Sequence, residues 1–319
     1  MIISASRRTD IPSYYSEWFF NRIKEGFVYA RNPMNTHQVS KINLEPDVVD
    51  CIVFWSKNPK PMIDKLHLLK DYSYYFQFTL NPYGQDIEVN LPCKNERIET
   101  FKRLSDRIGH EKVIWRYDPL LLNDKYNITY HIDSFEKFAD VLKRYTIKVV
   151  FSFIDFYKKI TENIKTAGVY EITTEEKNII AEKFSQIAKE NNLLIDTCAE
   201  NIDLSKYDIG NARCIDDRLI TKITGYNFIA EKDKNQRLEC GCVKSVDIGE
   251  YNSCSNGCIY CYANYSRDIV EKNVNKHISL SPLLIGDINS GDIIKEKSAS
   301  GSLYLDGSPD KYITKCLVQ

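Results

Sequence analysis

The alternation of short apolar segments with amphipathic helical segments sets the fold class of this 319-residue chain. Seven segments rich in Val, Ile, Phe and Tyr end at polar or proline-containing turns, which is typical of buried strands. They are Ile2–Ser6, Cys51–Trp55, Tyr74–Leu80, Val113–Tyr117, Lys148–Ile154, Leu193–Thr197 and Val243–Ile248. Strands joined by helices pair in parallel, because each crossover returns the chain in the same direction. We therefore predict an α/β fold with a closed or partial (β/α) barrel, and an open doubly wound sheet is the alternative.

Four predicted helices lie between these strands, and each has a recognisable start or end. They are a helix capped by Asn95 and ended by Gly109, one capped by Thr173 or Thr174, Tyr14–Lys24 ended by Gly26, and Phe135–Tyr145. The pattern of strands and helices weakens after residue 265. We therefore predict one barrel domain over residues 1–265, including a cysteine-rich loop at 240–264, and a C-terminal tail or cap over residues 266–319.

Composition excludes several classes of protein. With 43% hydrophobic and 27% charged residues, the chain is neither disordered nor fibrous. Lys plus Arg number 43 and Asp plus Glu 44, and this balance argues against binding to nucleic acid or to an anionic membrane. No segment reaches the roughly 18 apolar residues that span a bilayer, and the start lacks the basic-then-apolar order of a signal peptide. We expect a cytoplasmic protein with reduced thiols and no membrane partner.

Charged and polar side chains follow the predicted strands. The carboxyl ends of barrel strands carry the active site, and Arg, Lys, Asn and Asp suit a polar or anionic small-molecule substrate. We predict arginines that clamp carboxylate or phosphate groups and carboxylates that orient hydroxyls or move protons. The predicted catalytic residues are Arg7, Arg8, Asp10, Arg116 and Asp118, and the predicted cofactor-binding residues here are Lys57 and Asn81. The serine-hydrolase, P-loop and dinucleotide-binding motifs do not occur in the sequence.

The strongest functional signal is the C-x₃-C-x₂-C spacing of Cys254, Cys258 and Cys261, here called the triad. Three thiolates can hold three irons of a [4Fe–4S] cluster and leave the fourth open, whereas four would close every iron. The motif resembles the signature of the radical S-adenosylmethionine (SAM) superfamily. In that superfamily the open iron binds SAM, and the reduced cluster cleaves it to a 5′-deoxyadenosyl radical. The resemblance implies that the triad binds the cluster, that Tyr260 lies near the adenine, and that a ferredoxin or flavodoxin donates the electron.

A wider resemblance covers the chain from residue 1 to about residue 285. Its segments are similar to the domain-of-unknown-function 1848 family, which brings no established reaction. They are Ser4–Pro12, Phe54–Pro59, Phe78–Gly84, Trp115–Pro119 and Glu239–Asn264. Radical SAM chains usually carry the triad after the first barrel strand, whereas here it lies about four-fifths along the chain. A circularly permuted barrel, in which Val243–Ile248 leads into the cluster loop, accounts for this order.

The sequence contains no Gly-Gly-Glu-like segment of the kind that holds the SAM amino group in that superfamily. We predict that polar residues at the strand ends replace it. The candidates are Arg7, Arg8, Lys57, Asn81, Arg116 and Asp118.

Four further cysteines, here called the quartet, lie upstream of the triad. They are Cys198, Cys214, Cys240 and Cys242. Four thiolates suit either a second [4Fe–4S] cluster or one structural zinc. The leading hypothesis is therefore a radical SAM-type enzyme. The alternatives are an iron–sulfur electron carrier or redox sensor, in which Cys242 completes the triad, and a zinc-stapled nucleic-acid-binding module.

Overall fold

The computed structural model describes residues 1–226, 228–297 and 303–304. The strands are β1 (Ile2–Ala5), β2 (Phe27–Asn32), β3 (Asn35–Asn43), β4 (Cys51–Ser56), β5 (Tyr74–Thr79), β6 (Val113–Leu120), β7 (Lys148–Phe153), β8 (Leu194–Thr197), β9 (Gly210–Asn211), β10 (Phe228–Ile229), β11 (Val246–Asp247), β12 (Ile293–Glu296) and β13 (Leu303–Tyr304). The helices are α1 (Ile11–Tyr14), α2 (Ser16–Glu25), α3 (Lys60–Ile63), α4 (Lys94–Ile108), α5 (Ile128–Leu142), α6 (Thr161–Thr166), α7 (Thr174–Glu190), α8 (Asp217–Thr224) and α9 (Arg267–Val274).

Eight parallel strands form the main sheet in the order β11-β1-β4-β5-β6-β7-β8-β9. Each of the seven predicted strand segments overlaps one of them, so the prediction of an α/β fold with a parallel sheet is confirmed. Sequence order is kept from β1 to β9, and β11 then pairs beside β1, with Ile3 opposite Val246. Within the described residues β9 and β11 do not pair, so the sheet does not close through hydrogen bonds.

The two faces of the sheet bury different cores, since successive side chains of a strand point to opposite sides. On one face Phe54 and Phe76 pack in the core that also buries Phe19 of α2, Phe101 of α4, and Phe135 and Phe184 of the later helices. On the opposite face a smaller core includes three quartet cysteines together with Cys51, Val53, Tyr75 and Val150. The quartet therefore lies against the face of the sheet that is opposite to the long helices.

Most predicted helix ends are confirmed, but Asn95 does not cap α4, which begins at Lys94 after Cys93. Thr173 caps α7 in a complete capping box with Glu176, and α4 ends at Gly109 as predicted. The helix predicted at Phe135–Tyr145 instead begins at Ile128, because the Asn127 side chain accepts a hydrogen bond from the backbone of Tyr130. No helix among the described residues has the length and apolar character needed to cross a membrane.

A smaller sheet joins β12 in parallel to the antiparallel hairpin of β2 and β3. The chain between α9 and β12 packs on α2, where the Trp18 indole donates to the carbonyl of Ser281 over 2.9 Å. The predicted tail or cap at 266–319 therefore contains α9, β12 and β13. Residues 298–302 and 305–319 of that segment lie outside the described residues.

His131 of α5 is fully buried and neutral. Its Nε2 lies 2.8 Å from the carbonyl of Leu121, which can only accept, so Nε2 carries the proton. Its Nδ1 then accepts from the Tyr117 hydroxyl over 2.7 Å. Both ring nitrogens are satisfied without a positive charge, and burial lowers the pKa of His131 to about 4.

We expect His131 to make stability depend on pH in mildly acidic solution. The unfolded side chain titrates near 6.5, so the contribution is complete above that pH and is lost as pH falls toward the folded value. Relative to His131→Gln, the wild type should lose about 2 kcal/mol of unfolding free energy between pH 7 and about pH 4.5. Urea denaturation of both proteins across this range measures it. A difference between the two proteins that stays constant with pH would contradict the prediction.

Candidate functional site

A cavity of about 440 Å³ opens at the carboxyl ends of the parallel strands. Residues after β1, β4 and β8 and at the ends of β6 and β7 line it, together with residues of the cysteine-rich loop at 240–264. Every predicted site residue except Asn81 contributes to its wall. Those residues are Arg7, Arg8, Asp10, Lys57, Arg116, Asp118, Tyr260, the three triad cysteines and the four quartet cysteines.

The triad loop is held at both of its sides by hydrogen bonds. The Asn256 amide accepts from the Tyr14 hydroxyl over 2.9 Å and donates to Asp10 over 3.1 Å. On the other side, the Asn90 backbone donates to the carbonyl of Asn256 over 3.0 Å, and the Asn90 amide donates to the carbonyl of Ser255 over 2.7 Å. The loop is therefore fixed between the start of α1 and the segment that precedes α4.

Gly257 is required by the path of this loop. Its φ of +67° lies in the left-handed region that glycine adopts freely. A Cβ atom at this position would lie 3.0 Å from the Asn90 amide nitrogen and 3.3 Å from Cβ of Val89. The close approach lets the loop bond directly to the segment before α4.

The triad thiols are free, and the described cysteines form no disulfide. Burial raises the pKa of all three, that of Cys258 to about 12. A bound cation would favour their thiolate forms, which are the forms that bind metals.

The quartet brings together cysteines from three separate segments. The Sγ atoms of Cys198 and Cys214 lie 3.2 Å apart. The Cys242 sulfur accepts from the backbone nitrogens of Cys214 and Ile215 over 3.3 and 3.4 Å. The neighbouring Cys242 thiol lowers the pKa of Cys240 to about 7. The Cys242 sulfur thus accepts hydrogen bonds, as thiolate ligands do. Within residues 1–226, 228–297 and 303–304, however, no group of three or more His, Cys, Asp or Glu side chains is arranged so that it could hold a metal ion.

The three predicted cofactor-binding residues meet at Glu88, which the sequence analysis missed. Lys57 Nζ lies 2.8 Å and the Asn81 amide 3.2 Å from the Glu88 carboxylate, and the Tyr260 hydroxyl also donates to it. Arg97 of α4 completes the group with a hydrogen bond of 2.9 Å. Burial alone would raise the pKa of Glu88, but Lys57 and Arg97 outweigh it and lower that pKa to about 2. Glu88 is therefore an ionised carboxylate between two cations.

Arg116 and Asp118 are bonded to each other at the end of β6. Arg116 Nε and Nη2 both donate to the same oxygen of Asp118, and Ser152 donates to the other oxygen. Burial raises the pKa of Asp118, but the Arg116 guanidinium more than offsets it, so the pKa is lowered. Arg116 Nη1 reaches the sulfur of Cys214 over 2.8 Å. The pair therefore connects the cavity wall to the quartet.

Asp10 accepts four hydrogen bonds. Its Oδ1 accepts from the Ser56 hydroxyl over 2.7 Å and from the Ser13 backbone over 3.1 Å. Its Oδ2 accepts from the Lys57 backbone over 2.8 Å and from the Asn256 amide. This carboxylate therefore ties together β4, α1 and the triad loop.

Arg7 and Arg8 lie on the wall of the cavity beside two aromatic rings. The guanidinium carbon of Arg7 is 5.5 Å from the centre of the Trp55 ring, and that of Arg8 is 5.1 Å from the centre of the Tyr251 ring. Trp55 is a second residue that the sequence analysis missed. The signal that could reveal it is its place near the end of a strand, directly before Ser56 and Lys57.

Comparison with known proteins agrees with the wider sequence resemblance. No curated protein matches the chain. A family model described as a domain of unknown function (DUF1848) matches residues 2–263, which include the main sheet and both cysteine groups. The chain therefore belongs to the DUF1848 family.

Proposed function

We propose that this protein is a radical SAM-type iron–sulfur enzyme that acts on a polar or anionic small molecule. The observation that carries the proposal is the position of the triad. Three free thiols on a loop fixed by hydrogen bonds face a cavity at the carboxyl ends of parallel strands, and arginine and lysine side chains line the same cavity. Enzymes on parallel sheets bind their ligands at this edge.

The donor set fits a [4Fe–4S] cluster with one open iron. The triad supplies three thiols, each of which would bind a different iron, so the sulfurs need not converge on one point. In the alternative electron carrier, Cys242 would have to act as the fourth ligand. Its sulfur lies in the quartet, where the backbone nitrogens of Cys214 and Ile215 donate to it. This placement favours the three-cysteine cluster over the closed one.

We further propose that the sheet is an open barrel with permuted strand order. The order of strands from β1 to β9 never reverses, and the long helices share one face, as they do around a barrel. β11 lies beside β1 and leads into the triad loop. It would therefore take the place of the strand that precedes the cluster loop in radical SAM proteins.

Two oxygen atoms of the cavity wall suit the ammonium group of SAM. Arginine and lysine side chains only donate hydrogen bonds, so they cannot hold an ammonium. Thr9 Oγ1 and Asn264 Oδ1 are buried atoms of cavity-lining residues that have no partner among the described residues. Asn264 donates to the carbonyl of Cys254 over 2.7 Å, which fixes its amide beside the first triad cysteine. The cluster and SAM would supply the radical chemistry, and these residues would orient the cofactor.

For the quartet we propose a second metal, either another [4Fe–4S] cluster or one zinc. Sulfurs around one tetrahedral zinc lie about 3.8 Å apart, given a Zn–S distance of about 2.3 Å. The sulfurs of Cys198 and Cys214 lie 3.2 Å apart, so a bound zinc would require them to move slightly apart. The low-potential electron would come from a ferredoxin or flavodoxin in the reducing cytoplasm.

Electron paramagnetic resonance on anaerobically reconstituted, dithionite-reduced protein tests the function. We expect a [4Fe–4S] signal that changes when SAM is added, because SAM would bind the open iron. The SAM-sensitive signal should be absent from Cys258→Ala and unchanged in Cys93→Ala, which removes an exposed cysteine outside the cavity. Iron and zinc counts on Cys258→Ala would then identify the quartet metal. Bound iron without any response to SAM would indicate a carrier, and zinc without iron would exclude the enzyme.

A further inference from the structure

The cavity collects most of the unsatisfied buried polar atoms in the described part of the chain. Six buried side-chain nitrogen or oxygen atoms have no hydrogen-bond partner there. Four of them belong to residues of the cavity wall: Arg7 Nη2, Thr9 Oγ1, Trp55 Nε1 and Asn264 Oδ1. A buried donor or acceptor without a partner costs about 1–3 kcal/mol. Their concentration around one cavity indicates the chemistry of the ligand that would satisfy them.

Two of these atoms are neighbouring donors. The Arg7 guanidinium lies over the Trp55 ring at 5.5 Å, and the Arg116 guanidinium lies at the same distance from that ring. Arg116 is already engaged by Asp118 and Cys214. Arg7 Nη2 and Trp55 Nε1 can donate but not accept, so their common ligand must present acceptor atoms.

The charges along the wall make that ligand an anion. Most of its cations already contact a carboxylate: Arg116 pairs with Asp118, Arg237 with Asp155, and Lys57 with Glu88. Arg7 is different, because the closest ion pair of its guanidinium within the described residues is with Asp233, at 4.0 Å. Arg8 donates to the carbonyl of Gly249 over 3.4 Å and forms no ion pair with a described residue. The guanidinium groups of Arg7 and Arg8 therefore carry positive charge on the wall without a hydrogen bond to a described carboxylate.

We propose that Arg7 Nη2 and Trp55 Nε1 form an oxyanion subsite that binds a carboxylate or phosphate group of the substrate. Guanidinium and indole N–H groups both suit these oxygens, and the charged hydrogen bond is the stronger of the two. Arg8, on the same wall, adds a second positive charge. The assignment of the ligand as the substrate rests on the proposed function, whereas the oxyanion subsite itself does not.

Anaerobic calorimetry on the reconstituted protein tests the subsite, with inorganic phosphate and acetate as probes at constant ionic strength. We expect Arg7→Gln to weaken phosphate binding by about 10- to 100-fold, as for loss of a charged hydrogen bond. Trp55→Phe keeps the ring and removes the donor, so it should weaken binding by about 3- to 10-fold. Arg103→Gln is the matched control, because Arg103 is an exposed arginine on α4 that pairs with Asp64. It should bind phosphate as the wild type does.

Each other outcome overturns part of the proposal. Wild-type protein that binds neither anion, or Arg7→Gln and Trp55→Phe that bind both anions normally, would exclude the subsite. If Arg7→Gln does not fold, then Arg7→Lys, which keeps the charge without the fork, and Trp55→Phe decide the question. Competition between SAM and phosphate would assign the oxyanion to the cofactor and overturn the substrate assignment. Intact phosphate binding, with a cluster signal that SAM does not change, would remove the proposed function but leave the subsite.

Discussion

Replacing Glu88 by Gln should lower the free energy of unfolding by about 3–5 kcal/mol, although the two side chains have nearly the same shape. Arg97 is 1% exposed and Lys57 is 15% exposed, and both direct their charge at the Glu88 carboxylate. An amide cannot balance either cation, so one buried and one partly buried positive charge would remain close together. Urea denaturation monitored by circular dichroism measures the loss.

A matched carboxylate provides the control for this result. Glu96 bonds Lys60 on the surface, where the two side chains are 43% and 54% exposed, so Glu96→Gln should cost less than about 1 kcal/mol. The double variant Glu88→Gln with Arg97→Met should recover part of the loss, because it removes one of the uncompensated charges. An effect of Glu88→Gln no larger than that of Glu96→Gln would mean that other groups balance Lys57 and Arg97.

The sequence predicted seven of the eight strands of the main sheet, because these segments are short, apolar and bounded by polar turns. β9 was not predicted, since it consists of two exposed residues, Gly210 and Asn211. The hairpin of β2 and β3 was missed, since its strands are largely exposed or half-buried and carry polar residues such as Arg31 and Lys41. β12 was missed for the same reason, as all four of its residues are exposed. Apolar content identifies a strand only where the fold buries it.

The position of the predicted site followed from one rule, that polar residues after parallel strands meet at one edge. The rule does not say which of them bond to one another. Arg116 and Asp118, predicted to contact substrate separately, bond each other, and Arg116 also reaches Cys214, 98 residues away. Glu88 was missed because its burial depends on Lys57, 31 residues before it, and on Arg97, nine residues after it. Contacts of this kind are set by packing and not by local sequence.

Asp10→Ala should lower the free energy of unfolding by about 3–7 kcal/mol. The loss would combine an N-cap of about 1 kcal/mol with buried donors left without an acceptor, at about 1–3 kcal/mol each. Those donors are the Lys57 backbone and the Asn256 amide, which Asp10 holds over 2.8 and 3.1 Å. Because Asn256 lies inside the triad loop, the variant should also retain less iron after reconstitution than the wild type.

Asp216→Ala is the control that distinguishes the positioning role of Asp10 from helix capping alone. Asp216 caps α8 by accepting from the Arg218 backbone over 3.1 Å, and the Arg218 side chain that pairs with it is 61% exposed. Asp216→Ala should therefore lower the free energy of unfolding by about 1 kcal/mol and leave the iron content unchanged. In Asp10→Asn, the amide NH₂ group would face one of the two pairs of donors that Asp10 accepts from. Because an NH₂ group cannot accept their hydrogen bonds, this variant should also be destabilised. Urea denaturation and iron counts on the three variants measure both effects. Wild-type stability and iron content in Asp10→Asn would contradict the positioning role. They would favour the catalytic role predicted from the sequence, because a carboxylate that only reacts with substrate is not needed to hold β4, α1 and the triad loop together.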